Sequence, residues 1–138
     1  MFESCLYFNT TSLARLLERE WSKAFRPFGL TPPQAFLLRM VLGEPGRLAH
    51  ELAAALTVAR PTATRLIDGL EEKGLLERRP SPKDGREWEI HPSASATKLR
   101  EDLNAASAEV TRRLRGVLGD EGFDETVSRL RSARAVVG

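Results

Sequence analysis

The sequence predicts a mainly α-helical chain with one small β wing, a winged helix-turn-helix flanked on both sides by further helices. Three observations carry this. Two short amphipathic segments, 47–56 and 59–74, follow one another with only Thr57-Val58 between them. A hairpin comes next, its two short arms joined by the turn-rich Pro80-Ser81-Pro82-Lys83-Asp84-Gly85. Beyond it, apolar residues recur at steps of four and three, as on one face of a long helix.

From about Phe8 to Phe28, Leu13, Leu16, Leu17, Trp21, Ala24, Phe25 and Phe28 fall on one helical face, and Gly29-Leu30 closes the segment. Thr31-Pro32 then reads as an N-cap followed by a first-turn proline, opening a second helix to about Leu42. That helix has little polar face, so it belongs inside the molecule. After the turn Gly43-Glu44-Pro45-Gly46, Leu48, Leu52 and Leu56 give the third helix its buried stripe.

The fourth helix buries Ala63, Leu66, Ile67 and Leu70 and stops at Gly74. This leaves Arg60, Pro61, Thr62, Thr64 and Arg65 at or near its exposed start. On the hairpin, Trp88 and Ile90 share one face by alternation, while Arg78, Arg79, Lys83 and Arg86 gather along arms and tip. Leu99, Leu103, Ala106, Val110, Leu114 and Val117 form a near-heptad seam over 94–118. Gly119-Asp120 ends that helix and opens a last one, acidic early and basic late, as the helix dipole favours.

The net charge of +2 is too small to identify a nucleic-acid protein, so placement must decide. Nearly all the positive charge is arginine, with lysine only at 23, 73, 83 and 98, a bias that suits guanine and phosphate but also follows from composition alone. A recognition helix needs small or polar residues at its leading end and cations on neighbouring elements. The fourth helix and the wing meet both demands, which predicts double-stranded DNA as the partner.

One cysteine, Cys5, excludes an intrachain disulfide, and the opening Met-Phe-Glu-Ser lacks the basic region of a secretory signal, so a cytoplasmic location is expected, with no membrane partner. The most apolar run, 35–42, is interrupted by Arg39 and is far shorter than the roughly 20 residues that span a bilayer. His50 and His91 form no metal motif, and no convergent catalytic set or phosphate-cradling loop can be singled out. No metal, cofactor or enzymatic activity is expected.

The run Thr64-Arg65-Leu66-Ile67-Asp68-Gly69-Leu70-Glu71-Glu72-Lys73-Gly74-Leu75-Leu76-Glu77-Arg78, followed by Asp84-Gly85-Arg86, resembles the recognition helix and D-x-R wing of the MarR (multiple antibiotic resistance regulator) transcription factors. The resemblance spans nearly the whole chain. It implies that Arg86 reaches the minor groove and that Asp84 orients it. Ala59, where the family often has a capping Ser or Asp, and Glu87, where a second basic residue is common, depart from the pattern.

The resemblance also implies a homodimer joined by its terminal helices. On that reading 1–138 is a single unit, with 32–92 the DNA-binding lobe and 1–30 and 94–138 the dimerisation region. A two-fold pair would read a pseudo-palindrome with half-sites roughly 34 Å apart. The seam over 94–118 could instead be used within one chain.

An effector pocket, where the flanking helices meet the lobe, is implied as well. Trp21, Phe25, Phe28, Phe36 and Met40 either line it or simply fill the core. One branch of the family senses organic hydroperoxides through a cysteine near the start of the first helix. Cys5 fits that position, but the sequence shows no cation nearby to favour a reactive thiolate, and an inert thiol is the other reading.

The sequence therefore predicts a dimeric DNA-binding regulator, a repressor released from its operator by a small lipophilic or aromatic ligand or by an oxidant. A second reading is a winged-helix protein-interaction module without sequence-specific DNA binding. It is kept open because Asp68, Glu71, Glu72, Glu77, Asp84, Glu87 and Glu89 offset the seven cations of the fourth helix and wing.

Overall fold

A computed structural model describes residues 1–83 and 85–138, and within them the chain is mainly helical with one three-stranded antiparallel sheet. The first helix, α1, runs Leu6–Phe25 and begins on Cys5, whose Sγ accepts from the Phe8 N–H at 3.5 Å. It starts slightly earlier than its apolar face predicts and ends earlier too. Pro27 has no N–H to continue the ladder, so Arg26–Phe28 tightens into a 3₁₀ turn before Gly29 takes φ +70°.

The second helix, α2 (Pro32–Gly43), opens on a reciprocal cap. Thr31 Oγ1 accepts from the Gln34 N–H at 3.4 Å, and Gln34 Oε1 accepts from the Thr31 N–H at 3.1 Å. Ala35, Leu37, Leu38, Val41 and Leu42 are buried, which makes α2 the core helix its composition predicts. Around it gather Phe25, Leu52, Ile67, Leu70, Ile90 and Leu103.

A strand then appears that periodicity does not predict. Arg47–Leu48, expected to open the third helix, is β1, paired with Ile90 and Glu89. The helix proper, α3, is Ala49–Leu56, and Glu51 Oε1 accepts from the Leu48 N–H at 2.8 Å to start it. Its C-cap, Thr57, lies in the left-handed region at φ 58°, ψ 47°, unusual for a β-branched residue. This is the sharp turn into α4, Arg60–Glu72. Where α4 crosses α2, Gly69 permits close approach: a Cβ there would meet Gln34 Nε2 at 3.1 Å.

Strands β2 (Leu76–Pro80) and β3 (Trp88–Pro92) form the wing, with Arg78 opposite Ile90 and Pro80 opposite Trp88, in the sheet order β1-β3-β2. Ser93 locks the end of the wing to the next helix. Its N–H donates to Leu75 O at 3.0 Å, its hydroxyl donates to Gly74 O at 2.7 Å, and the same hydroxyl accepts from the Ala96 N–H at 3.1 Å.

Helix α5 (Ala94–Leu118) puts much of the predicted seam inside its own chain. Leu103 and Val110 are fully buried, and Leu99 and Ala106 pack on the core, while Val117 is 81% exposed. Helix α6 (Asp120–Val137) packs on α5 and contributes no buried residue. Leu6, Tyr7, Phe8, Leu16, Val117, Leu118, Val136 and Val137 are all more than two-fifths exposed, so the ends of the molecule carry an apolar surface unlike the lobe. No helix is long and apolar enough to cross a membrane, among the described residues.

Candidate nucleic-acid interface

Helix α4 presents three faces, and its leading residues divide among them. Ala63, Ile67 and Leu70 point into the core and hold the helix against α2 and α3. Arg60 and Thr64, one turn apart, turn toward the wing. Thr62 and Leu66 turn the other way, half-buried beside α1 and α2. Pro61 and Arg65 are exposed, and Arg65 Nη2 donates to Thr62 Oγ1 at 3.4 Å.

Between α4 and the wing lies a notch of about 400 Å³, lined by Arg60, Thr64, Arg78, Arg86, His50, Glu87 and Trp88 among others. It brings together four residues singled out from sequence: Arg60, Thr64, Arg78 and Arg86. Arg86 is exposed on the turn. Asp84, expected to orient it, lies outside the described residues. Lys83 is exposed, and Arg79 is exposed with Nη2 3.3 Å from Glu77 Oε2.

Arg78 departs from the role expected of a free phosphate-gripping cation. Its side chain is only 23% exposed, and its guanidinium is paired with Asp68 and, at 2.6 Å, with Glu71. Asp68 and Glu71 sit three apart on α4, so one fork bridges both and clamps the wing's first strand to the helix. Glu71, counted from sequence only as an offset to the wing's cations, is therefore a partner in that clamp.

Sequence reasoning did not single out the notch's floor. His50 Nδ1 stands 3.3 Å from Glu87 Oε2, an oxygen that is buried and makes no hydrogen bond among the described residues. The 3.3 Å approach thus brings the two side chains together without aligning a donor. The available signal was the departure from the family pattern at Glu87. Trp88, on the same face as Ile90, is 49% exposed where Ile90 is 1% exposed, because the sheet's outer end overhangs the core.

The five aromatic and sulfur side chains expected around an effector are split. Phe25 is fully buried with its ring edge-on to Phe36, centroids 5.9 Å apart, so it is core and cannot line a site. Phe28 also packs on the core. Trp21 and Phe36 line an apolar groove of about 490 Å³ bounded by Leu17, Pro33, Val58, Thr62 and Leu66. Met40, with Phe36, borders a separate recess between α2 and α5. Cys5 is exposed. Among the described residues, no three His, Cys, Asp or Glu side chains converge as a metal set would.

Two helices joined by a tight turn, followed by an antiparallel wing whose arms flank the second helix, define a winged helix-turn-helix protein. The comparisons with known proteins agree. The model of the MarR family matches residues 28–87, from the last residue of the 3₁₀ turn through the wing turn. A putative transcriptional regulatory protein for the hcr operon of Thauera aromatica is 35% identical over 54% of this chain and 50% of its own length. The uncharacterized HTH-type transcriptional regulator YwoH of Bacillus subtilis (strain 168) is 33% identical over 66% of both chains. The match thus spans about half to two thirds of these curated relatives.

A solved structure, the transcriptional repressor CouR bound to a 23-mer DNA duplex, superposes with a TM-score of 0.83 at 26% identity, covering 96% of this chain and 94% of that one. Over its winged helix-turn-helix, residues 28–87, the chain matches the MarR family.

Proposed function

We propose that this chain is a homodimeric DNA-binding transcriptional regulator, a repressor that reads a pseudo-palindromic operator and leaves it when a small lipophilic ligand or an oxidant intervenes. The observation that carries the reading is the joint exposure of α4's leading end, Pro61 and Arg65, beside a notch ringed by Arg60, Thr64 and Arg86. A helix of this polarity can enter a major groove while the notch admits the phosphate backbone and the wing turn reaches the adjacent minor groove. Arg78 is assigned to holding the wing rather than to the DNA. The structural likeness to a repressor in complex with a DNA duplex supports the reading.

Dimerisation is supported by the exposed apolar side chains of α1, the end of α5 and α6, which one chain leaves uncovered. Effector control is supported by the groove at Trp21 and Phe36. Its far wall is Thr62 and Leu66 of α4, so an apolar molecule seated there would press on the recognition helix itself. Such a ligand acts by favouring the helix position that misfits the operator. Exposed Cys5 caps α1 within the apolar end of the molecule, and its oxidation would alter that cap.

Selection of bound sequences from random duplex DNA, followed by titration at 50 and 200 mM salt, tests the reading. The expected product is a two-fold site with half-sites about one helical turn apart and an affinity that falls steeply with salt. Enrichment of no sequence would instead favour the interaction-module reading, which the near-neutral charge of α4 and the wing supports.

A further inference from the structure

The notch between α4 and the wing holds a carboxylate oxygen whose hydrogen bonding is incomplete. Glu87 Oε2 is buried, makes no hydrogen bond among the described residues, and lies 3.3 Å from His50 Nδ1. An oxygen so placed keeps the cost of leaving water without the return of a donor. The two side chains are still 41% and 35% exposed, so solvent can deliver a proton to the pair and remove it. His50 belongs to α3 and Glu87 to the wing turn, and the pair therefore spans the two elements between which a DNA backbone would pass.

The charged groups around His50 come from every element packed there. Arg60 is on α4, Arg86 on the wing turn and Arg78 on β2, and Glu87 is the one acid lining the notch among the described residues. Arg78 is already held by Asp68 and Glu71. Glu51 of α3 accepts from the Leu48 N–H, Arg47 of β1 reaches Glu44, and Glu89 of β3 pairs with His91. With His50 neutral, Glu87 leaves a negative charge where a phosphate would pass. A proton on the imidazole offsets that charge and supplies Oε2 with a charge-assisted donor. The arginines and the leading end of α3 oppose the added cation, and a phosphate in the notch outweighs them by adding its own negative charge.

We propose that the notch takes up a proton on His50 as it closes on the DNA backbone, so that operator binding tightens as the pH falls from about 8 to about 6. This rests on the function proposed above and adds a regulation to the same site. The proton comes from solvent and returns to it on release. Linkage fixes the sign: the bound state holds more protons than the free state, so affinity rises with proton concentration. His91, the chain's other histidine, pairs with Glu89 at 3.0 Å and by alternation lies on the face of β3 away from Ile90 and the notch.

The test is anisotropy titration of the selected duplex at about pH 8 and about pH 6, at matched ionic strength. Calorimetry in two buffers of different ionisation enthalpy counts the protons taken up. The unmodified protein should bind about threefold tighter at the lower pH, with a slope of log K against log salt steeper by about 0.9, the equivalent of one added cation per chain. His50→Gln should lose both the pH response and the proton uptake, and His91→Gln should keep both. Glu87→Gln, decisive if His50→Gln fails to fold, should bind at the higher pH about as tightly as the unmodified protein does at the lower. Equal affinity of the unmodified protein at both pH values, or a pH response that survives in His50→Gln, overturns the proposal and leaves the DNA-binding reading standing. Glu87→Gln that binds no tighter than the unmodified protein at the higher pH overturns it as well. A chain that selects no duplex removes the DNA-binding reading itself, and the proton coupling with it.

Discussion

Replacing Arg78 with Ala separates what holds the wing from what would touch DNA. The Arg78 side chain is 23% exposed, whereas its partners Asp68 and Glu71 are 53% and 43% exposed. Each pair is therefore partly screened and is worth at most about 1 kcal/mol, and the carboxylates left behind can be solvated. The loss sums to about 1–1.5 kcal/mol, or roughly 3–6 °C in the unfolding midpoint of a domain this size. Arg86→Ala should instead cost DNA binding about one phosphate equivalent. That lowers the slope of log K against log salt by about 0.9, a difference of about 3.5-fold between 50 and 200 mM. Circular dichroism melts and fluorescence anisotropy on the selected duplex measure both variants. A lowered salt slope with an unmoved melt in Arg78→Ala would refute the clamp.

Three further outcomes follow from the same geometry. Glu87→Gln removes a buried negative oxygen from the notch floor and should tighten DNA binding about threefold; weaker binding would mean that the pairing with His50 organises the wing. Leu16→Glu sets a charge on the 56%-exposed apolar surface of α1 and should reduce the sedimenting species from dimer to monomer with unchanged helicity; a persistent dimer would place the interface elsewhere. Thr57→Asn puts a residue that tolerates the left-handed region at φ 58° and should add about 1 kcal/mol, seen as a higher melting midpoint; no gain would show that the turn tolerates a β-branched residue without strain.

The elements legible in the residue order are those stabilised locally. The Thr31-Pro32 start of α2, the Gly74 stop of α4, the hairpin and the period of α5 all involve neighbours within a few positions, and the structure carries each of them. Strand β1 was not legible, because two residues become a strand only when β3, some forty positions on, supplies the partner. The same reason hides Arg78's clamp, which joins a wing arm to α4, and the partition of the aromatic cluster, in which Phe25 turns inward while Trp21 and Phe36 line the groove.

The order of helices and wing was legible in the residues alone, since capping, turn chemistry and apolar period act over a few residues. How the charges are used was set by the packing of distant segments. Asp68 and Glu71 draw Arg78 out of solvent, and Glu87 lines the same notch as Arg60 and Arg86. A charge's role depends on what approaches it and how much water remains, and both are set by segments far apart in the chain.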